Sequence, residues 1–116
     1  MSFDISVVKD WDNQKETNVD FSMSGNGWRG YLNMGVAYGW KPSGVTFITI
    51  EDGQEVYGYE KTGVGKVEIY FSNDGAFMDE EDIGNLIMAL HRVPEKDANL
   101  VKFMSYLSGA KGLTIW

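Results

Sequence analysis

The stretch that decides the fold is residues 70–90, YFSNDGAFMDEEDIGNLIMAL. At the start of this stretch and just before it, Val67, Ile69 and Phe71 alternate with Glu68 and Tyr70, which predicts a strand with one buried face. Residues 72–75 (SNDG) then predict a tight turn, because Asn, Asp and Gly tolerate left-handed backbone. The stretch therefore predicts a strand, a turn and the start of a helix.

The helix after this turn has a predicted origin at Asp79. The Asp79 carboxylate can accept a hydrogen bond from the amide of Asp82, and Asp82 can reach back in a capping box. Glu80 and Glu81 add negative charge to the first turn, where the helix dipole favours it. The apolar face of the helix follows helical spacing and consists of Ile83, Leu86, Ile87 and Leu90.

Two other parts of the chain belong to the same sequence pattern as this stretch. They are residues 28–32 (WRGYL) leading to 37–44 (AYGWKPSG), and residues 103–107 followed by the closing GLTIW at 112–116. Together with the YFSNDG turn and its acidic helix start, these motifs resemble a family of small uncharacterised bacterial proteins. The resemblance implies a bacterial origin but no activity, since none is established for such proteins, and it does not extend to residues 45–66.

Length and composition limit the classes of function. The 116 residues predict one domain, 1–116, and the absence of cysteine excludes disulfides and thiolate chemistry. Residues 1–4 show no leader pattern, and no apolar run approaches the about 20 residues of a membrane span, so we expect a cytoplasmic protein. Seventeen acidic against ten basic residues give a net charge of −7, which argues against nucleic-acid binding and permits a basic protein partner.

The remaining segments add strands and helices separated by turns. Gly39 is placed to stop the first helix in a left-handed conformation, and Pro42 prevents its continuation. Residues 19–23 fit either a short strand or an extended approach to that helix, and either Ser24 or Asn26 can cap the helix. The other predicted elements are a strand at 3–8, a helix at 28–36, a hairpin of strands at 45–50 and 55–60, a helix at 100–107 and a strand at 113–116.

These elements predict the α+β class. We expect an antiparallel sheet of four to five strands with three helices packed mainly on one face. The predicted order along the chain is β-α-β-β-β-α-α-β, with residues 45–71 forming a three-stranded meander.

Candidate chemical sites are few. His91, the only histidine, has no recognisable nucleophile motif beside it, so a surface position near the helix C-terminus is favoured over catalysis. Asp74 and residues 79–82 form an acidic cluster without calcium-loop spacing, and whether it binds a cation stays open. Residues 25–27 (GNG) fit neither phosphate-loop pattern and favour a flexible helix start. No catalytic, cofactor-binding or metal-binding residue is predicted.

The aromatic residues are more unusual, since they make up 14% of the chain. Most are expected in the core, but Trp and Tyr are also enriched at interfaces. Four are least explained by a core because they stand in a polar loop, on the central meander or at the last residue: Trp11, Tyr57, Tyr59 and Trp116. We predict that they mark an interaction surface.

The functional prediction is a non-enzymatic interaction or accessory protein of the bacterial cytoplasm. One version is an immunity-like protein that masks a basic toxin, with acidic residues speeding association. The alternative is a small-ligand-binding protein or hydrolase with an acidic-aromatic cleft between the first helix and the meander. A deep pocket would favour the alternative and a flat acidic-aromatic patch the first. The oligomeric state stays open between monomer and homodimer.

Overall fold

The computed structural model describes the backbone of residues 2–42, 45–51, 54–60, 67–71 and 76–116. It also describes the side chains of these residues, except those of the two strands within 45–60 and of residues 68–69. Its strands are β1 (Ser2–Val8), β2 (Val19–Ser24), β3 (Val45–Glu51), β4 (Gln54–Glu60), β5 (Ala76–Asp79) and β6 (Gly112–Ile115). Its helices are α1 (Gln14–Thr17), α2 (Gly25–Ala37), α3 (Glu80–His91) and α4 (Ala98–Leu107), with 3-10 helices at Trp11–Asn13 and Val67–Phe71. The described strands form one antiparallel sheet in the order β2-β1-β6-β5-β3-β4.

The α+β class is confirmed, and α2, α3 and α4 pack on one face of the sheet. Phe3, Ile5 and Val7 alternate along β1 into a single core that also contains buried side chains from all three helices. The helical members of this core are Trp28, Leu32, Ile83, Leu86, Ala89, Leu90, Leu100, Phe103, Met104 and Leu107. The sheet has six strands rather than four to five, because β2 pairs with the whole length of β1.

The strand predicted at Val67–Phe71 is wrong, since this segment is a 3-10 helix. Val67 and Tyr70 are both buried, and their spacing of three residues is one turn of a 3-10 helix. The strand lies later, at β5, where Ala76 and Met78 face the core. The turn predicted at residues 72–75 lies outside the described residues. The predicted meander is also wrong, because β5 pairs with β3 and β6 and leaves β4 at the edge of the described sheet.

The first long helix, α2, begins at Gly25 and so includes three residues before the predicted range, and its cap is Ser24, one of the two predicted caps. The Ser24 hydroxyl accepts a hydrogen bond from the Gly27 amide at 3.0 Å, so Ser24 is the N-cap and the glycines at 25–27 belong to the first turn. The predicted stop at Gly39 is confirmed by its positive φ of 104°. The Trp40 amide then donates to the Gly35 carbonyl at 2.8 Å, which folds the chain back over the end of the helix.

Gly35 allows α2 to approach α3 closely. A Cβ atom at this position would lie 2.4 Å from Cδ1 of Leu86, well inside contact distance. Leu86 is fully buried on α3, so its side chain occupies the space that the glycine leaves. The close approach at Gly35 thus joins two helices.

The predicted origin and apolar face of α3 are confirmed. Asp79 Oδ1 accepts a hydrogen bond from the Asp82 amide at 2.9 Å, which makes Asp79 the N-cap. The predicted face points into the core, where its members are buried or partly buried: Ile83, Leu86, Ile87 and Leu90. Local capping and helical periodicity therefore agree with the tertiary packing of this helix.

Replacing Asp79 with alanine is expected to destabilise the fold by about 0.5–2 kcal/mol, because the first amides of α3 lose their side-chain acceptor. Urea unfolding measures this change, and Glu95→Ala, at an exposed acidic residue outside any helix, serves as the matched control. A rise in melting temperature with Ca²⁺ or Mg²⁺ that Asp79→Ala abolishes would instead identify a cation site.

Candidate functional site

The candidate functional site is the face of the sheet that points away from α2, α3 and α4, hereafter the open face. Since Phe3, Ile5 and Val7 point into the core, the alternating residues of β1 point to the opposite side. The register continues this side across four strands in one row, from Asp20 on β2 through Ser6 and Thr114 to Phe77 on β5. The described residues of the open face include Asp4, Ser6, Asp20, Ser22, Phe77, Thr114 and Trp116, with Trp11 lying over the end of β6.

Trp11 and Phe77 form the aromatic part of this face. Their ring centroids are 6.1 Å apart, and Trp11 remains 50% exposed. Gly112 makes this contact possible, because a Cβ atom there would lie 2.5 Å from Cζ of Phe77 and 3.2 Å from Cζ2 of Trp11. Trp11 thus lies against the sheet with much of its ring open to a partner.

Asp10 fixes the short 3-10 helix that carries Trp11. Its Oδ1 accepts a hydrogen bond from the Asp12 amide at 3.0 Å, and its Oδ2 accepts one from the Asn13 side chain at 3.0 Å. The bond from Asn13, followed by that from Asp12, lowers the pKa of the Asp10 carboxyl below its ordinary value. Asp10 therefore adds a stable negative charge next to the indole at neutral pH.

The second exposed indole, Trp116, lies beside two acidic residues. Trp116 is 47% exposed and exchanges backbone hydrogen bonds with Asp4 at 2.9 and 2.8 Å. On the other side, the Ser22 hydroxyl donates to Asp4 Oδ1 at 2.5 Å. These residues line a depression of about 590 Å³ with Asp20, hereafter the open-face depression. Carboxylates and an exposed indole therefore share one surface.

A smaller depression of about 230 Å³ lies on the other side of β2, between β2 and α4, hereafter the helix-side depression. Phe21 stacks on Tyr106 with ring centroids 4.7 Å apart, and Tyr31 stacks on Phe103 at 4.4 Å. Lys102 Nζ lies 5.8 Å from the centroid of the Tyr106 ring. The walls are thus mainly aromatic, with a positive charge at one side.

Tyr31 supplies a protonated hydroxyl to this depression. Burial raises the pKa of its phenol above the ordinary value, and the negative charge of Asp97 raises it further. The hydroxyl therefore stays neutral throughout the physiological pH range.

A buried polar network joins α2, the 3-10 helix at 67–71 and α3. Trp28 Nε1 donates to the Tyr70 carbonyl at 2.7 Å, and the Tyr70 hydroxyl donates to Asp82 Oδ2. Trp40 Nε1 donates to the Asp82 carbonyl at 3.0 Å, and its ring stacks on Tyr70 at 6.0 Å. Asp82 is 0% exposed, so its carboxyl is part of the core.

Sequence reasoning missed this network, although two features of the sequence bear on it. Buried Trp and Tyr side chains need partners for their N–H and O–H groups. Asp82 lies about one helical turn after Asp79 and directly before Ile83, the first residue of the apolar face. At this position its carboxyl can be reached by a buried tyrosine. Tyr70 and Asp82 are 12 residues apart in the sequence, and this separation kept their contact from being predicted.

The four aromatic residues predicted as an interaction surface are placed as follows. Trp11 and Trp116 are half-exposed, and Trp116 belongs to the open-face depression. Tyr57 and Tyr59 lie in β4, opposite Ile48 and Thr46 in the register, but their side chains lie outside the described residues. Phe77 joins Trp11 without having been predicted, because its surroundings in AFMD are all apolar or helix-capping residues.

The other candidate residues occupy structural positions. His91 is exposed as the last residue of α3, and its carbonyl accepts a hydrogen bond from Lys96 Nζ at 2.8 Å. Asp74 lies outside the described residues, whereas Asp79 caps α3 and Asp82 bonds to Tyr70. Among the residues that the structure describes, no group of three or more His, Cys, Asp or Glu is placed to hold a metal ion.

Two further observations bear on function. In the described part of the chain, no helix has both the length and the apolar character needed to cross a membrane. The chain matches no family model, no curated protein and no solved structure. Function is therefore inferred from the chemistry of the open face.

Proposed function

We propose that this protein is a non-enzymatic binding protein whose open face holds a basic protein partner. The observation that carries the proposal is the presence of half-exposed Trp11 and Trp116 on the same surface as Asp4 and Asp20. Tryptophan is the residue most enriched where interfaces gain their affinity, and acidic residues attract a basic partner from a distance. The open face combines both features.

Charge supports a basic partner over an acidic or neutral one. The net charge of −7 repels acidic molecules at low salt. Two lysines flank the open face, but Lys111 pairs with Glu80 at 3.2 Å and Lys9 donates to the Ser108 carbonyl. The carboxylates of Asp4 and Asp20 are exposed, so they can act on a partner.

The buried network supports binding over hydrolysis. The alternative function needs an acidic-aromatic cleft between α2 and the meander. Among the side chains that the structure describes, the acid and aromatic rings that meet beside α2 are Asp82, Tyr70, Trp28 and Trp40. All four are at most 2% exposed, so they hold α2 and α3 together and do not face a substrate. An immunity-like protein that masks a basic toxin in the bacterial cytoplasm is the version of the proposal that we favour.

Loss of the Trp116 indole is expected to weaken the partner complex mainly through faster dissociation. Trp116→Ala should raise the dissociation rate by about 5–30-fold, which corresponds to about 1–2 kcal/mol for an interface anchor. Surface plasmon resonance on a basic partner recovered from the native lysate measures this rate. Met88→Ala is the matched control, because Met88 is 58% exposed on α3, away from the open face.

The acidic residues are expected to act on the association rate instead. Asp4→Asn with Asp20→Asn should slow association at low salt and flatten its salt dependence, since exposed charges are screened over about 8 Å at physiological ionic strength. Glu95→Gln removes an equally exposed charge outside the open face and should change the association rate less. Reproducible substrate turnover that an acid-to-amide change abolishes, with no protein partner recovered, would overturn the proposed function.

A further inference from the structure

We infer that the partner adds an extended strand to the outer edge of β2, with basic side chains over the open face and apolar side chains in the helix-side depression. This inference rests on the proposed function and names its mode of binding. Addition of a strand to a sheet edge supplies affinity through backbone hydrogen bonds and specificity through alternate side chains.

The outer edge of β2 has backbone groups that point away from the sheet. β2 is the first strand in the sheet order, and no described strand pairs with its outer side. Asp4 exchanges hydrogen bonds with Trp116 on β6, so Phe3, Ile5 and Val7 direct their backbone groups towards β2. Their partners on β2, Met23, Phe21 and Val19, direct their own backbone N–H and C=O groups back towards β1. The N–H and C=O groups of the alternating residues, Asp20 and Ser22, therefore point outward.

β2 also has a depression on each of its faces. Asp20, Ser22 and Trp116 line the open-face depression of about 590 Å³. Phe21 and Met23 line the helix-side depression of about 230 Å³. Because successive side chains of a strand point to opposite faces, a strand beside β2 directs alternate side chains into the two depressions. The surroundings of β2 thus fit a strand with two chemically different sides.

The chemistry of each depression defines the side chains that it accepts. On the open face, Asp4 and Asp20 favour Lys or Arg, and the exposed Trp116 ring adds a cation–π surface. On the helix side, the rings of Phe21, Tyr31 and Tyr106 favour aliphatic side chains. Lys102 on that side disfavours a second cation. The fitting segment therefore alternates basic and apolar residues.

A second copy of this chain fits the edge less well. Pairing of two β2 strands would bring together two molecules that each carry a net charge of −7, with exposed Asp20 on both edges. A basic segment of another protein has the complementary charge. A dimer formed through β2 is therefore an outcome that would contradict the inference.

The test uses the full chain and a capped synthetic heptapeptide, Lys-Val-Lys-Leu-Lys-Val-Lys, with fluorescence anisotropy as the readout. A peptide of the same composition with its lysines grouped at the ends, Lys-Lys-Val-Leu-Val-Lys-Lys, keeps the charge and removes the alternation. The alternating peptide should bind about tenfold more tightly than the grouped one, since only its side chains match both depressions.

Two measurements locate the binding to the edge of β2. Hydrogen exchange followed by NMR should show new protection at the amides of Asp20 and Ser22 when the alternating peptide is added. Ser22→Pro removes an outward N–H, a position where an edge strand tolerates proline, and should weaken binding by about tenfold or more. Ser22→Ala keeps the N–H and loses only the hydroxyl that donates to Asp4, so it should weaken binding less than Ser22→Pro does. Met88→Ala, at an exposed residue that lines neither depression, should leave the affinity within about threefold of the unmodified protein.

The outcomes separate this inference from the proposed function. Equal binding of both peptides, weakened by Asp4→Asn with Asp20→Asn, overturns strand addition and leaves the acidic open face as the binding surface. The inference is also overturned if neither peptide binds. It is overturned as well if the amides of Asp20 and Ser22 become protected without peptide, through self-association at higher protein concentration. If Ser22→Pro fails to fold, the exchange measurement on the unmodified protein decides.

Discussion

Replacing Leu86 with alanine is expected to lower the free energy of unfolding by about 2–5 kcal/mol, through lost burial and the cavity left behind. Leu86 is 0% exposed, and its Cδ1 fills the space above Gly35 where α2 and α3 meet. A cavity at this contact can close only if a whole helix moves, since interiors are packed to crystal-like density. Urea unfolding monitored by circular dichroism measures the loss as a lower midpoint at unchanged slope.

Met88 on the same helix provides the control for this prediction. Met88 is 58% exposed, so Met88→Ala should change stability by no more than about 0.5 kcal/mol while altering helix propensity little. A loss below about 1 kcal/mol for Leu86→Ala would contradict the buried position of its side chain.

Replacing Asp82 with alanine is expected to cost about 2–4 kcal/mol, the second-largest effect. The Tyr70 hydroxyl donates to Asp82 in the core, and a buried hydroxyl deprived of its acceptor costs about 1–3 kcal/mol. Truncation of a fully buried side chain adds a cavity contribution. The loss is measured by urea unfolding, as for Leu86→Ala.

A double-mutant cycle separates the hydrogen bond from the cavity. Tyr70→Phe removes the hydroxyl and keeps the ring that stacks on Trp40. If the bond between Tyr70 and Asp82 acts as described, the two single losses should not add, with an interaction energy of about 0.5–3 kcal/mol. Tyr38→Phe, at an exposed tyrosine after α2, should leave stability nearly unchanged. Strict additivity of Asp82→Ala and Tyr70→Phe would show that the contact contributes nothing.

The parts of the fold that the sequence predicts well are those determined by local interactions. Asp79 caps α3 and Gly39 ends α2 because both effects depend on residues within one turn. The apolar face of α3 follows from helical spacing alone. β1 covers the strand predicted at residues 3–8, because apolar and polar side chains alternate from Phe3 to Val7.

The segment at 67–71 shows where local pattern is insufficient. The segment fits two patterns, because Val67, Ile69 and Phe71 alternate as in a strand, whereas Val67 and Tyr70 are three residues apart, as in one turn of a 3-10 helix. Contacts between residues distant in sequence favour the 3-10 helix over the strand. The main ones are the hydrogen bond from Trp28 Nε1 to the Tyr70 carbonyl and the one from the Tyr70 hydroxyl to Asp82. No periodicity within five residues carries that information.

The candidate site was predicted only in part for the same reason. Trp11 and Trp116 attract notice because each stands in a context that does not suit a core. Their placement on the same side as Asp4, Asp20 and Phe77 depends on strand order and register, which join residues from opposite regions of the chain. Composition can therefore suggest an aromatic surface, whereas the sheet determines which residues share it.

The place of β6 in the strand order has a consequence for how the chain folds. β6 lies between β1 and β5, so it joins the β2-β1 hairpin to the β5-β3-β4 group. Ile115 pairs with Ile5 on one side and Ala76 on the other, the first of these being a contact of very long sequence separation. Such contacts slow folding, because loop-closure entropy is lost before the pairing is gained.

During synthesis, β6 is also the last of the described strands to leave the ribosome. Until it docks, β1 and β5 each expose an unpaired edge beside apolar residues of the future core. Open edges of this kind pair readily with other chains. Between the synthesis of β5 and that of β6, the nascent protein therefore has two part-sheets with open edges, and fast docking of β6 shortens the time in which they can aggregate.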